Sequence, residues 1–151
     1  MWKSLVLMLS CPQLRLPAEA YRKADAIKRV VKLFLQEEFS KLEEITSPEA
    51  FVYFQSPSVL PYAGRYTGQD CVRQFMGRLN ESFIIITTLE AYQYVNESGS
   101  VFAAFDFVFQ SVASGKEFKT SMTMKIKVDD DLKLAKIAII SDTLAQYEAL
   151  N

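Results

Sequence analysis

The chain contains no histidine. That absence removes imidazole acid–base catalysis, Ser–His and Cys–His nucleophile pairs, and nearly every ordinary zinc or non-haem iron site. No metal and no cofactor are expected. Cysteine is scarce as well: Cys11 and Cys71 are too few for a disulfide framework and have no metal-ligand spacing. One bridge between them stays open; the other reading is two unpaired thiols in the reducing interior of a cytoplasmic protein. A surplus of one charge is also missing, since 17 basic and 18 acidic residues leave a formal net charge of −1. Nucleic-acid binders carry a basic surplus, so nucleic acid is not expected as a partner. No run approaches the ~18 apolar residues of a membrane span, and no membrane partner is expected. The segment from Met1 to Cys11 has the outline of a signal peptide, but its apolar core is short. Pro12 and Leu14-Arg15-Leu16-Pro17 stand where a small-residue cleavage site belongs. Residues 1–17 are therefore read as an extension packed on a single domain, 18–151.

What is present is globular. Half of the 151 residues are hydrophobic and 23% are charged, enough to bury a substantial core in one domain. From Ala18 to about Leu42, apolar residues Ile27, Val30, Val31, Phe34 and Leu35 recur at helical spacing, with Lys28, Arg29, Lys32, Gln36 and Glu37 on the other side. Ser47-Pro48-Glu49 offers a short helical start, and Phe51-Val52-Tyr53-Phe54-Gln55 reads as a strand. A loop over 60–68 leads to a second helix, capped by Thr67 or Gly68 and carrying Val72, Phe75, Met76 and Leu79 on one face. The period then changes to two. Residues 82–95, 101–112, 118–128 and 134–141 read as four strands, and Asp142-Thr143 opens a short terminal helix. Helices first and antiparallel strands afterwards predict an α+β fold, with N-terminal helices packed on a strongly curved, mostly antiparallel sheet in the form of a cone.

The segment Pro61-Tyr62-Ala63-Gly64-Arg65-Tyr66-Thr67-Gly68-Gln69-Asp70-Cys71-Val72-Arg73-Gln74-Phe75 resembles the P-x-A-G-x-Y-x-G-x-x-x-V-R-x-F stretch of SnoaL-like polyketide cyclases, members of the NTF2-like superfamily. Ile139-Ile140-Ser141-Asp142-Thr143-Leu144 is similar to the last strand and terminal helix start of that family. The resemblance implies a small-molecule-binding domain, with cyclase- or isomerase-type acid–base chemistry on a polyketide-like, aromatic or ketone substrate. Parts of the superfamily's chemistry are absent. Where ketosteroid isomerases carry a carboxylate before a proline, Ser56 precedes Pro57. Their helix tyrosine is replaced in a stretch offering Val30, Val31 and Phe34, and their strand aspartate falls near Met124. The cyclase aspartate at the end of the last strand is matched by Asp142, while its histidine helper also falls near Met124.

Asp142 is thus a candidate acid/base, and equally a helix N-cap, a role that weakens a carboxylate as a base. Asp106, in the apolar stretch Phe102–Phe109, is the second catalytic candidate; its structural alternatives are a buried partner for a Lys or Tyr, or exposure at the mouth or a subunit seam. The cone implies a cavity for an apolar or aromatic ligand, lined by Tyr53, Phe75, Phe105, Met122 and Met124, with Tyr62 and Tyr92 supplying hydroxyls. A cone packed shut by those side chains, serving as a non-catalytic binding or dimerisation module, is the other reading. Strand 101–109 is apolar on both faces except at Asp106, so one face needs a partner. The expected partner is a second copy of the chain, forming a homodimer.

Overall fold

The computed structural model describes residues 17–56, 59–96 and 98–151, apart from the side chains of residues 90–92. Of the proposed extension 1–17, residues 1–16, with Cys11, lie outside the described part, as does Pro57. Helix α1 (Ala18–Leu35) buries Ala24, Ile27, Val30, Val31 and Phe34, the face its spacing predicts. It does not continue to Leu42. Glu38 N donates to Leu33 O and Glu37 N to Phe34 O, the paired closing bonds of a Schellman motif. Glu37 takes the left-handed position at φ +55°, where glycine is usual. With glutamate in that place, nothing in the residue pattern marks the stop. A short helix α2 (Phe39–Glu44) follows.

Strand β1 (Thr46–Gln55) begins earlier than predicted and absorbs Ser47-Pro48-Glu49, which is not helical. Its pairing with the last strand is interrupted between Thr46 and Phe51. Pro48 falls in that interruption, where its missing N–H costs no ladder bond. Strand β2 (Gly64–Thr67), expected to be loop, pairs antiparallel with β1. Gly64 (φ +119°) and Gly68 (φ +116°) bracket it in conformations that side chains rarely adopt. Tyr66 Oη donates to the Tyr62 carbonyl at 2.8 Å and closes the loop before it.

Helix α3 (Cys71–Ser82) buries Val72, Phe75, Met76 and Leu79 as predicted. Its N-cap is Asp70 and not Thr67 or Gly68. The Asp70 side chain caps no backbone N–H and accepts instead from Gln74 Nε2 at 2.7 Å. Strands β3 (Phe83–Val95), β4 (Val101–Ser111), β5 (Glu117–Val128) and β6 (Leu134–Ser141) then form an antiparallel run, and α4 (Thr143–Leu150) ends the chain. The six-stranded sheet has the order β2-β1-β6-β5-β4-β3, with β1 and β6 parallel. Among the described residues, no helix is long and apolar enough to cross a membrane.

One face of this curved sheet holds the core. Val52 and Phe54 of β1, Phe105, Phe107 and Phe109 of β4, Met122, Met124 and Ile126 of β5, and Ile137 and Ile139 of β6 are all buried there. Phe54 stacks on Phe75 at 5.7 Å, and Phe105 stacks on Phe107 at 5.6 Å. The other face carries Tyr53, Phe102, Lys119, Ser121, Lys125, Lys127 and Ile140 at exposed or half-buried positions. Two β3 residues, Ile86 and Leu89, have no opposite number on β4. Each sits at a bulge that turns it outward, and such bulges bend a strand and re-aim its side chains.

Two of these local features can be tested by unfolding. Glu37→Gly removes the strain of a side chain at positive φ, and urea unfolding should show a gain of about 0.5–1 kcal/mol; a loss would show that the Glu37 side chain stabilises the turn by another route. Cys71 is a free, fully buried thiol whose pKa is raised by burial from 9.0 to about 11. The unfolded chain therefore releases this proton first. Stability should be constant from this group below pH 9 and decline as pH rises from 9 toward 11. Replacing Cys71 by Ala should flatten that part of the alkaline slope in pH-dependent unfolding measurements.

Candidate functional site

The two carboxylates singled out by the sequence come together. Asp106 on β4 lies opposite Ser121 on β5, and its Oδ1 accepts a hydrogen bond from Ser121 Oγ at 2.6 Å. Asp142 follows the last residue of β6, and its backbone N donates to the Ser121 carbonyl at 3.0 Å. Asp106, Ser121 and Asp142 thus form a row across three adjacent strand positions. Strands lie about 4.8 Å apart, so the two carboxylate-bearing backbones stand roughly 10 Å apart with a serine between them. Both aspartates line one open cavity of about 430 Å³, together with Leu89, Lys119, Thr120 and Ser121. Leu89 reaches it because of its bulge. Chemically the cavity offers two carboxylates, one ammonium group, the Ser121 hydroxyl and an apolar wall.

Asp142 is also the helix cap that the sequence suggested: its Oδ1 accepts from Ala145 N at 3.3 Å. Asp106 is half-buried, and its side-chain partner is a serine hydroxyl, not a lysine or tyrosine.

The seven residues proposed to line a ligand cavity are divided by the sheet. Phe75, Phe105, Met122 and Met124 are buried within the core cluster. Tyr53 is 41% exposed and belongs to the opposite face, in register with Ala138 and, through it, Lys125. Tyr53 therefore cannot share a cavity with the other four. Tyr92 sits on β3, and its side chain lies outside the described part. Tyr62 is wholly buried, its ring edge-on to Phe54 at 5.2 Å and to Phe83 at 5.9 Å.

The Tyr62 hydroxyl leads to a residue the sequence reading missed. Gln146 of α4 has no exposed surface. Its Oε1 accepts from Tyr62 Oη, while its Nε2 donates to Ser141 Oγ and, at 3.0 Å, to Thr120 Oγ1. Ser141 Oγ donates onward to the Ser121 carbonyl at 3.0 Å. Burial raises the Tyr62 pKa well above its ordinary 10.0, which keeps the phenol a donor. A polar residue on a short, mostly apolar helix gives no sequence signal of this kind.

A second cavity of about 240 Å³ lies against the other bulge. Its walls include Phe34, Met76, Ile86 and Phe107, with Thr87, Thr88 and Glu37 as polar members. None of the seven predicted lining residues belongs to it. Its position depends on the α1 stop and the Ile86 bulge, neither of which the hydrophobic pattern reveals. Among the described residues, no group of three or more potential metal ligands occurs.

No protein-family profile matches the sequence, and no curated protein matches it. Solved structures do. An NTF2-like protein from Burkholderia xenovorans superposes with a TM-score of 0.73 at 14% identity, covering 91% of this chain and 100% of its own. A candidate polyketide cyclase from Xanthomonas campestris gives a TM-score of 0.69 at 12% identity, covering 87% of this chain and 99% of its own. TerC, crystallised with polyporic acid, gives 0.67 at 14% identity, covering 85% of this chain and 97% of its own. Identities this low speak for architecture alone: the chain has the NTF2-like α+β fold, helices packed on a curved mixed sheet.

Proposed function

We propose that this is a small-molecule-binding protein of the SnoaL-like type, and that the Asp106–Ser121–Asp142 row carries acid–base chemistry on an aromatic or polyketide-like carbonyl compound. The observation that supports this reading is that both carboxylates share one cavity with Lys119. Asp142 would take a proton from a carbon next to a carbonyl group. The Lys119 ammonium would stabilise the negative charge that then develops on the carbonyl oxygen. Asp142, then protonated, would return that proton to another atom of the enolate, while Asp106, held as an acceptor by Ser121, would orient a hydroxyl group of the substrate. The candidate polyketide cyclase from Xanthomonas campestris has the same fold, which supports this reading.

A general carbon acid can stand in for the natural substrate. Exchange of the α-hydrogens of 2-tetralone in D₂O, followed by NMR, should run faster with the protein than with buffer alone. Asp142→Asn should lower the enzymatic rate by about 100-fold while preserving the fold, since asparagine caps a helix almost as well. Exchange no faster than buffer would dismiss the acid–base reading and leave the packed cone as a non-catalytic binding or dimerisation module.

A second copy is the proposed protein partner. Besides Tyr53, the outward face leaves Tyr94 and Phe102 in one register row and Ile140 one step away, all of them exposed. Lys125 Nζ lies 5.4 Å from the Phe102 ring and covers part of it, while Tyr94 and Ile140 stay 50% and 60% exposed. An apolar area of this kind is what a two-fold, sheet-to-sheet dimer would bury. Pairing there would also restrict water around the nearby Asp106–Asp142 cavity. Light scattering should give about twice the 17.2 kDa chain mass, and Tyr94→Lys combined with Ile140→Lys should return it to the single-chain value. A wild-type mass of one chain at micromolar concentration would exclude the dimer.

A further inference from the structure

The terminal helix is fastened in an unusual way. Gln146 is its only fully buried residue, while Leu144 and Tyr147 point their large apolar groups toward water at 65% and 45% exposure. Ala149 and Leu150 pack only partly against the core. A polar side chain, not an apolar face, therefore makes the main buried contact. Three elements converge on that one carboxamide: the loop before β2 through Tyr62, β5 through Thr120, and the end of β6 through Ser141. Both N–H groups and the carbonyl oxygen of Gln146 are matched. The surrounding surface is aromatic, with Phe54 and Phe83 edge-on to Tyr62.

One phenolic donor and two hydroxyl acceptors, beside a phenol ring that itself packs on Phe54 and Phe83, match the groups of a planar carboxamide. Gln146 supplies that carboxamide from within the chain. Hydrogen bonds of this type exchange for bonds to water when a segment lifts away, so a helix held chiefly by them opens at far lower cost than the sheet beneath it. We propose that α4 is a lid hinged at Asp142, and that the Tyr62–Thr120–Ser141 recess beneath it binds an aryl carboxamide in place of Gln146. The recess lies on the concave side of the sheet and does not depend on the acid–base reading of the outward cavity.

Hydrogen exchange and ligand binding test it on the full chain, with benzamide as the probe. In the wild-type protein, the α4 amides should exchange about 100-fold faster than those of β4 and β5, reflecting local opening. Saturating benzamide should speed α4 exchange further. Gln146→Ala should bind benzamide at least tenfold more tightly than the wild type, because the internal competitor is gone. Adding Tyr62→Phe to that variant should abolish the gain, and toluene, which has the ring without the carboxamide, should show no gain. Exchange of α4 only together with the whole sheet would overturn the lid. Equal gains for toluene and benzamide, or no gain for either, would overturn the recognition site. If Gln146→Ala does not fold, the wild-type exchange rates with and without benzamide still decide: no acceleration refutes the proposal.

Discussion

Gln146 puts a carboxamide where no water reaches, and a buried amide left without partners costs on the order of 1–3 kcal/mol. The fold must therefore bring Tyr62, Thr120 and Ser141 to one point, and those three residues come from distant parts of the sequence. Meeting that requirement fixes several things together. The Tyr62 loop must close over Phe54 and Phe83, β6 must end beside β5, and α4 must leave the sheet at Asp142. Gln93 shows the contrary case. It is 2% exposed, yet neither of its side-chain polar atoms has a hydrogen-bond partner among the described residues. One buried glutamine is integrated into the architecture and the other is a local cost.

The sheet divides the chemistry between its faces. Aromatic rings close the concave side, with Phe83 contacting Phe109 and Phe118 at 5.9 and 5.1 Å and Phe105 stacking on Phe107. Ionisable groups collect on the outward side, where Asp106 and Lys119 keep contact with solvent and avoid the penalty of a buried charge. The pocket expected from the sequence drew Tyr53 from the outward side and Phe105, Met122 and Met124 from the concave one. Strand alternation does not permit it, because residues one apart on a strand face opposite ways. Phe105 and Asp106 are neighbours in sequence and lie on different sides of the sheet.

The fold is legible in the sequence because its strongest signals are periodic. The α1 face, the alternation of β5 and the doubly apolar β4 all correspond to what is buried or left outward. The glycine-containing segment after Pro61 is equally readable, since Gly64 and Gly68 adopt backbone conformations that require them. The features that stay hidden lack such a signature. A helix ending at Glu37 uses the wrong residue for its turn, and a four-residue β2 is too short to show a period. The bulges at Ile86 and Leu89 arise inside an apolar run where any register looks acceptable. The candidate site is half visible: Asp106 and Asp142 can be named, but their meeting around Ser121 depends on strand register. Lys119 reads as an ordinary solvated stripe.

Ser121 joins the two faces. Its hydroxyl donates outward to Asp106, while its carbonyl accepts from Asp142 N and from Ser141 Oγ, the same hydroxyl that receives Gln146. A chain of polar contacts therefore runs from the buried Tyr62 phenol to the outward carboxylate of Asp106 through the strand itself. The carboxylate of Asp142 caps α4 through Ala145, so any movement of that helix must also release a hydrogen bond from Asp142. The helix that closes the concave side is thus tied to a carboxylate on the outward side. A displacement there would change the geometry around Asp142. The coupling needs no long pathway: the groups involved sit on two adjacent strands and the turn between β6 and α4.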